Sequence, residues 1–549
     1  MSDSDDCSAE QAAQRDAFAA LADPASWPAA LKQPAGAAIR RIDTHGAAIF
    51  LGDSHVLKAK RAVRFPFLDF STLQRRRAVC ETELRLNRRT APEIYLGLGA
   101  VVRTSGGSGQ DAMAIRAEAG DLDPAEVAEW LVVMRRFDRD GLLREVAQAG
   151  RLDDRICDAV AAEVARLHRS EAPRCDFGGV AELRRTLDGA LSQIRTHGAE
   201  ILAQDRVDAL ADALEAAFDA GRQAVEARRS KGLVRHVHGD LHLGNICLFD
   251  GRPRLFDCIE FNQEFAVIDI LYDLAFLLMD LWHDGRPAQA NRILNAWMEA
   301  LHDLPGAGEG LSLLPLYLAL RASIRIHVHC SMAAVQSDAA AAEEQADIAR
   351  AYLADAGGYQ APAPAVLVAV GGLSGTGKSS IARALAPDLG RIPGAVVLRS
   401  DAIRKAMWGV APTDSLPKEA YARGQGAAVY DRLRQQAAAA LRAGQAVIAD
   451  AVHADPAERA AIEAVARDCG APFHGLWLEA PEAQLAQRLE ERRGDVSDAD
   501  SAVLQQQKRY DIGPLDWSRV DSGAGLPAVV GRARAVLPAG WLRAASGMA

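Results

Sequence analysis

The chain has 549 residues, 49% hydrophobic and 25% charged, with a formal net charge of -10. That length exceeds one ordinary core and predicts two to four compact units, while the composition excludes an intrinsically disordered chain. The negative balance supplies no general field for gathering polyanions, which argues against nucleic acid and anionic membranes as partners and for a small-molecule substrate.

The N-terminal stretch "MSDSDDCSAE" is acidic and polar where a secretory signal is basic and then apolar, so a cytoplasmic protein is expected. Eight cysteines are scattered without a C-x-x-C pair, the pattern of reduced thiols rather than of a zinc site or a disulfide framework. The segment "IRRIDTHGAAIFLGDSHVLKAKR" alternates as paired strands do, whereas from about Leu131 onward Ala, Leu, Arg and Glu recur at helical spacing. A small sheet lobe at about 30–130 and a helical lobe at about 131–355 are therefore predicted. The most apolar long run, "AVIDILYDLAFLLMDLW", carries Asp269, Asp273 and Asp280, which are costly in hydrocarbon, and is predicted to be a buried helix. His327 and His329 have no ligand set around them in sequence and are expected to be helix histidines. The Gly- and Pro-rich stretch "ADAGGYQAPAPA" predicts a linker at 356–365 between a domain at 1–355 and one at 366–549. Beyond it, "AVLVAV", "AVVLRS", "QAVIAD" and "FHGLWLEA" are short buried strands separated by helical stretches, an α/β domain with a parallel sheet.

In "HVHGDLHLGNICLFDGRPRLFDCIEFN", Asp240 precedes Asn245 by five positions, and Asp257 follows on what is predicted to be the next strand, after a Gly-Arg-Pro turn. This is the spacing of a protein-kinase-type catalytic loop followed by a metal-binding acid. One carboxylate orients and deprotonates a hydroxyl; an amide and a second carboxylate hold magnesium across the ATP phosphates. The stretch resembles the aminoglycoside phosphotransferase family, whose H-G-D-x-H-x-x-N pattern is met by His238, Gly239, Asp240, His242 and Asn245. The resemblance implies an α+β, bilobal, protein-kinase-like fold. It makes Asp240 the catalytic base, Asn245 and Asp257 the metal ligands and His238 a structural residue. It also requires a phosphate-binding lysine, Lys58 or Lys60 in "HVLKAKR", with Lys58 preferred, and a glutamate partner on the following helix, Glu83 or else Glu81. "WLVVMRRFD" near Val132 resembles the hinge that receives adenine through backbone hydrogen bonds.

"GGLSGTGKSS" satisfies G-x-x-x-x-G-K-[ST] directly after "AVLVAV" and at the start of the predicted helix "SSIARALA". Gly372, Ser374, Gly375, Thr376, Gly377 and Ser380 would form the cradle for nucleotide phosphates with Lys378 and Ser379. Within it Lys378 reaches the β and γ phosphates and the Ser379 hydroxyl ligates magnesium. Asp401 and Arg404 follow the second strand, where an acid can accept the proton of an attacking hydroxyl. Asp450 ends a later strand, in position to hold magnesium or its water. Arg488 and Arg492 stand at i and i+4 and share one helical face, as a lid over ATP requires. The series resembles P-loop kinases of the gluconate kinase and zeta-toxin type over roughly 366–542.

Together the two resemblances imply an enzyme with two ATP and Mg2+ sites that transfers γ-phosphoryl groups to hydroxyls of small-molecule acceptors. Two alternatives stay open: a regulatory protein in which one domain senses nucleotide while the other turns over, and a polynucleotide kinase activity in the P-loop domain. The sequence is silent on acceptor identity and oligomeric state.

Overall fold

The computed structural model describes residues 3–31, 33–34, 38–65, 68–105, 111–120, 122–410, 414–421, 423–491 and 501–543. The chain divides into two compact units, Met1–Phe177 with Val234–Asp273, and Gly178–Leu233 with Leu274–Ala549. The stretch read as a linker, 356–365, is in part helical. The helix Ala339–Gln360 continues through residues 356–360, and the helices that follow Gly178 cluster with the P-loop. Two glycines inside a helix cost about 1 kcal/mol each. The stripe Tyr352, Ala356 and Tyr359 is buried on the same helix, and that burial offsets the cost.

In the first unit a six-stranded antiparallel sheet runs in the order Arg40–Asp43, Ala47–Leu51, His55–Lys60, Val127–Arg135, Tyr95–Ser105, Asp111–Arg116. The alternation seen in sequence sets its register, Ile49 opposite Lys58 and Lys58 opposite Val132. The strand Val127–Arg135 crosses the lobe boundary expected near 130. The stretch expected to hold the hinge, 130–138, begins inside this strand. Val132 lies between Lys58 and Leu98 in the middle of the sheet, so its amide and carbonyl are committed to the ladder. Open backbone begins only after Arg136, whose amide donates to the Ser54 carbonyl. The helix Leu73–Asn87, capped by Thr72, packs on the sheet and buries Arg76, Cys80, Glu83 and Asn87 along one stripe. The N-terminal helix Asp3–Ala22 adds Gln14, whose amide donates to the Lys60 carbonyl and to Glu129.

Among the described residues of the second unit are the long helices Val180–Gly198, Gln204–Ser230, Pro287–Ala300, Leu314–Val335, Ala339–Gln360 and Arg423–Arg442. The unit also holds a parallel sheet in the order Val396–Arg399, Val447–Asp450, Leu367–Gly371, Phe473–Glu479, Ser518–Asp521. The first four sheet strands are the predicted ones. The fifth, Ser518–Asp521, escapes sequence analysis because, as an edge strand of four residues, it buries only Val520. Aliphatic side chains from one face of the sheet, among them Val368, Val370, Ile448 and Leu476, pack with Ile381 and Leu385 of the helix Lys378–Leu385 to form a core behind the P-loop. The run "AVIDILYDLAFLLMDLW" is largely the buried helix Ile270–His283. Among the described residues one helix, Leu311–Val335, has the length and hydropathy to cross a membrane, and 67% of that stretch is buried within the fold.

Candidate active sites

In the first unit, chain reversals bring distant residues to one place. The strands Ile246–Phe249 and Arg252–Leu255 form a hairpin whose turn is Asp250-Gly251, both with positive φ (50° and 72°). That is the two-residue turn matching strand twist. The turn therefore sits earlier than the predicted Gly-Arg-Pro, and Arg252 and Pro253 already belong to the second strand. Asp257 lies two residues beyond that strand, in a loop rather than on a strand. The hairpin sets Asn245 against Phe256, whose amide donates to the Asn245 carbonyl at 3.0 Å. Ile259 donates to the His238 carbonyl at 3.0 Å, which lays the Asp257 loop beside the Asp240 loop.

Each acid has a fixed support. The Asn245 side-chain amide donates to the Asp240 carbonyl and to its carboxylate, both at 3.0 Å, and His242 Nε2 lies 3.4 Å from the same carboxylate. Asp257 stands at φ 61°, uncommon for a non-glycine residue. Its amide donates to the Tyr95 hydroxyl, and the next amide, Cys258, to the Asn87 side chain, each at 3.0 Å. Asp273, buried within the apolar helix, accepts from the amides of His238 and Gly239 and pairs with His168 at 3.0 Å. His238 Nε2 bonds the Phe256 carbonyl, as suits a structural residue, and burial lowers its pKa. The Asp240 and Asp257 side chains are 39% and 45% exposed in otherwise buried surroundings, open to a ligand.

Lys58 joins the two halves of the site, donating to Glu83 at 2.8 Å and to Asp257 at 2.5 Å. Lys60 pairs with the other oxygen of Glu83 at 2.6 Å and with Glu260 at 2.5 Å. Lys58 is thus the lysine that meets Asp257, and Glu83 is the helix glutamate. Glu81 is paired elsewhere, with Arg77 at 2.9 Å. Burial by itself would lower Lys58, but Asp257 and Glu83 outweigh it and raise its pKa well above the ordinary value. Burial likewise would raise Glu83, yet Lys58 and Lys60 hold it below the usual carboxylate range. In Glu260 burial prevails and the carboxyl is raised.

In the second unit the P-loop turns with Gly372, Gly375 and Gly377 at φ 138°, 86° and 86°. A Cβ on Gly372 would lie 2.7 Å from the Leu478 carbonyl, so glycine is needed there for space as well as conformation. The helix Lys378–Leu385 follows, with Lys378 Nζ on the Leu373 carbonyl at 3.1 Å. Ser374, whose amide donates to Gln507 at 2.8 Å, and Thr376, whose hydroxyl donates to the Leu373 carbonyl at 2.7 Å, brace the loop; Ser380 lies in the first turn of the helix. The Ser379 hydroxyl donates to Asp450 at 2.6 Å. Burial pushes the Asp450 carboxyl up, with Lys378 and Arg399 opposing it. Asp401 occupies the first turn of the helix Ser400–Met407, half-buried. Arg404 is turned to the Ala420 carbonyl at 2.9 Å. Arg488 rests on the P-loop itself, bonding the carbonyls of Gly375 and Ser522 at 3.4 and 2.8 Å. Arg492 lies outside the described residues.

Sequence analysis missed Asn87, Tyr95, Glu260, Asp273 and Gln507. Only Asp273 carried a signal, as an acid inside an apolar run. The others make their contacts across long stretches of chain.

An antiparallel sheet with the Asp240–Asn245 loop in one unit and a P-loop on a parallel sheet in the other define a two-part kinase-like phosphotransferase. The family described as "Phosphotransferase enzyme family" matches residues 111–309, which include Asp240, Asn245 and Asp257. An "AAA domain" family matches 367–511, which includes the P-loop, Asp401, Asp450 and Arg488. The chain belongs to the same family as the uncharacterized proteins Rv2004c of Mycobacterium tuberculosis and Mb2027c of Mycobacterium bovis. Each is 31% identical over 506 residues, 89% of this chain and 94% of the relative. Among solved structures, a choline/ethanolamine kinase family protein from Mesorhizobium loti is 14% identical, covering 63% of this chain and 97% of that one, with a TM-score of 0.36. A gluconokinase from Sinorhizobium meliloti 1021 is 24% identical, covering 32% and 92%, with a TM-score of 0.22.

Proposed function

We propose that the chain is an ATP-dependent phosphotransferase with two nucleotide sites, each moving a γ-phosphoryl group to a hydroxyl of a small-molecule acceptor. The observation that carries this reading is that Asp257 meets the Lys58–Glu83 pair while its loop lies beside the one on which Asn245 holds Asp240. Asp240, held by Asn245, accepts the acceptor's proton; Lys58 binds nucleotide phosphates and is kept in place by Glu83. In the second site Lys378 and the loop amides bind phosphates, Asp401 accepts the proton and Arg488 offsets charge on the transferred group.

The donor sets suit magnesium. Asn245 spends its amide nitrogen on Asp240 and keeps its amide oxygen for coordination beside the Asp257 carboxylate, while Ser379 and Asp450 present a hydroxyl and a carboxylate to one point. Bound magnesium neutralises phosphate charge. Incubating the full chain with labelled ATP and a panel of small hydroxyl compounds tests the proposal, with Asp240→Asn and Lys378→Ala chains in parallel. Each variant is expected to lose transfer to a different acceptor. Absence of acceptor-dependent ADP release from the parent across that panel would overturn it.

A further inference from the structure

We infer that Tyr95 is a positioning residue for the first unit's site, its hydroxyl keeping Asp257 in the backbone conformation from which the carboxylate serves as metal ligand. The inference rests on the reading of Asp257 as a magnesium ligand.

At φ 61° the Asp257 side chain crowds its own backbone, and a non-glycine residue persists there only where its surroundings impose it. Two side chains impose it here by accepting from consecutive amides. The Asp257 amide donates to the Tyr95 hydroxyl and the Cys258 amide to Asn87 Oδ1, each at 3.0 Å. Neither acceptor is free to follow the loop. Tyr95 is buried at the start of the strand Tyr95–Ser105, where it is registered opposite Met134. Asn87 is buried at the end of the helix Leu73–Asn87, and its amide nitrogen donates back to the Glu83 carbonyl at 2.9 Å. The loop is thus fixed through its backbone to both the sheet and the helix.

The Asp257 carboxylate has a support of its own in Lys58 at 2.5 Å, but that support is conditional. With nucleotide bound, Lys58 serves the phosphates and Asp257 the metal, so the tie between them weakens when the site is loaded. The amide bonds to Tyr95 and Asn87 compete with neither ligand and hold the loop in both states. Without the Tyr95 hydroxyl the Asp257 amide loses its acceptor, and the residue relaxes from φ 61° toward the ordinary region. Magnesium binding then has to restore the strained conformation, which lowers metal affinity.

The test uses the full chain carrying Lys378→Ala, which takes the P-loop site out of the readout. Calorimetry with a non-hydrolysable ATP analogue gives nucleotide affinity as a function of magnesium concentration. Tyr95→Phe, which keeps the ring and loses only the hydroxyl, is expected to raise the magnesium needed for half-maximal binding by about fivefold or more, leaving metal-free binding unchanged. Thr90→Val serves as the control. It removes the bond of 2.6 Å from the Thr90 hydroxyl to the Leu255 carbonyl, on the strand that leads into the Asp257 loop. Its expected effect is a lower unfolding temperature with an unmoved magnesium curve. Both substitutions keep the shape of the side chain, so both variants are expected to fold. A Tyr95→Phe curve that overlays the parent, or one matched by Thr90→Val, would overturn the inference. A parent that binds the analogue with no magnesium dependence overturns instead the metal-site reading on which the inference stands.

Discussion

Lys58 and Asp257, 199 residues apart in the chain, meet at 2.5 Å, and the same ammonium is held by Glu83 at 2.8 Å. The contact ties the sheet of the first unit to the Asp257 loop. It also separates two lysines that stand two positions apart in sequence.

Lys58→Met is expected to abolish nucleotide binding by the first site. Lys60→Met leaves Glu83 and Glu260 facing each other without a cation between them. Breaking a buried pair in this way costs about 3–5 kcal/mol, so its expected signature is lost stability with nucleotide binding retained at low temperature. Denaturant titration alongside nucleotide affinity separates the two. Equal loss of affinity in both variants would contradict the assignment of Lys58.

Asp240→Asn is expected to retain magnesium-dependent ATP binding and to lose transfer by about 100-fold or more, the range for a missing general base. Asp257→Asn is expected to lose both. ATP affinity and acceptor-dependent ADP release, measured in a Lys378→Ala chain, report on this site alone. Undiminished transfer by Asp240→Asn would remove it from the catalytic role.

Gly239 stands at φ 83°, and a Cβ there would lie 2.7 Å from the Phe265 carbonyl. Gly239→Ala forces the Asp240 loop away from Asp273 and is expected to cost about 1–3 kcal/mol of stability. Transfer should fall while nucleotide KM changes little. A variant as stable and as active as the parent would show that the loop tolerates the shift.

In the P-loop site Lys378→Ala is expected to weaken ATP binding, and Asp401→Asn to spare binding while slowing transfer by about 100-fold or more. Equal loss of affinity in both would make Asp401 a metal ligand.

Burial sets the acid limit of the same site. Because it raises the Asp450 carboxyl above its ordinary value of 3.8, the group takes up its proton at a higher pH than an exposed aspartate does. Magnesium affinity of the free protein is therefore expected to decline on acidification before the ordinary aspartate range is reached. Removing Arg399, which opposes the rise, should move that decline to higher pH. Affinity that holds until pH 3.8 or below would show that Asp450 is not the metal-holding group.

The candidate site was legible in the sequence where its groups lie close along the chain. The spacing of Asp240, Asn245 and Asp257, and the run Gly372 to Ser380, are short because one loop or hairpin must present them together. Strand alternation likewise announced the first sheet, and four apolar runs announced the second. The tertiary structure alone decided which of two nearby lysines reaches Asp257, because a strand's register against its neighbours sets where each side chain points. It alone placed Asn87, Tyr95 and Asp273 behind the Asp240 and Asp257 loops, since those hydrogen bonds join segments with no periodic relation in sequence. The helical state of the first half of the expected linker was decided there too. Gly357 and Gly358 signal a break by composition, but packing of the helix that contains them outweighs their local preference, and the compact unit around the P-loop begins far upstream of it.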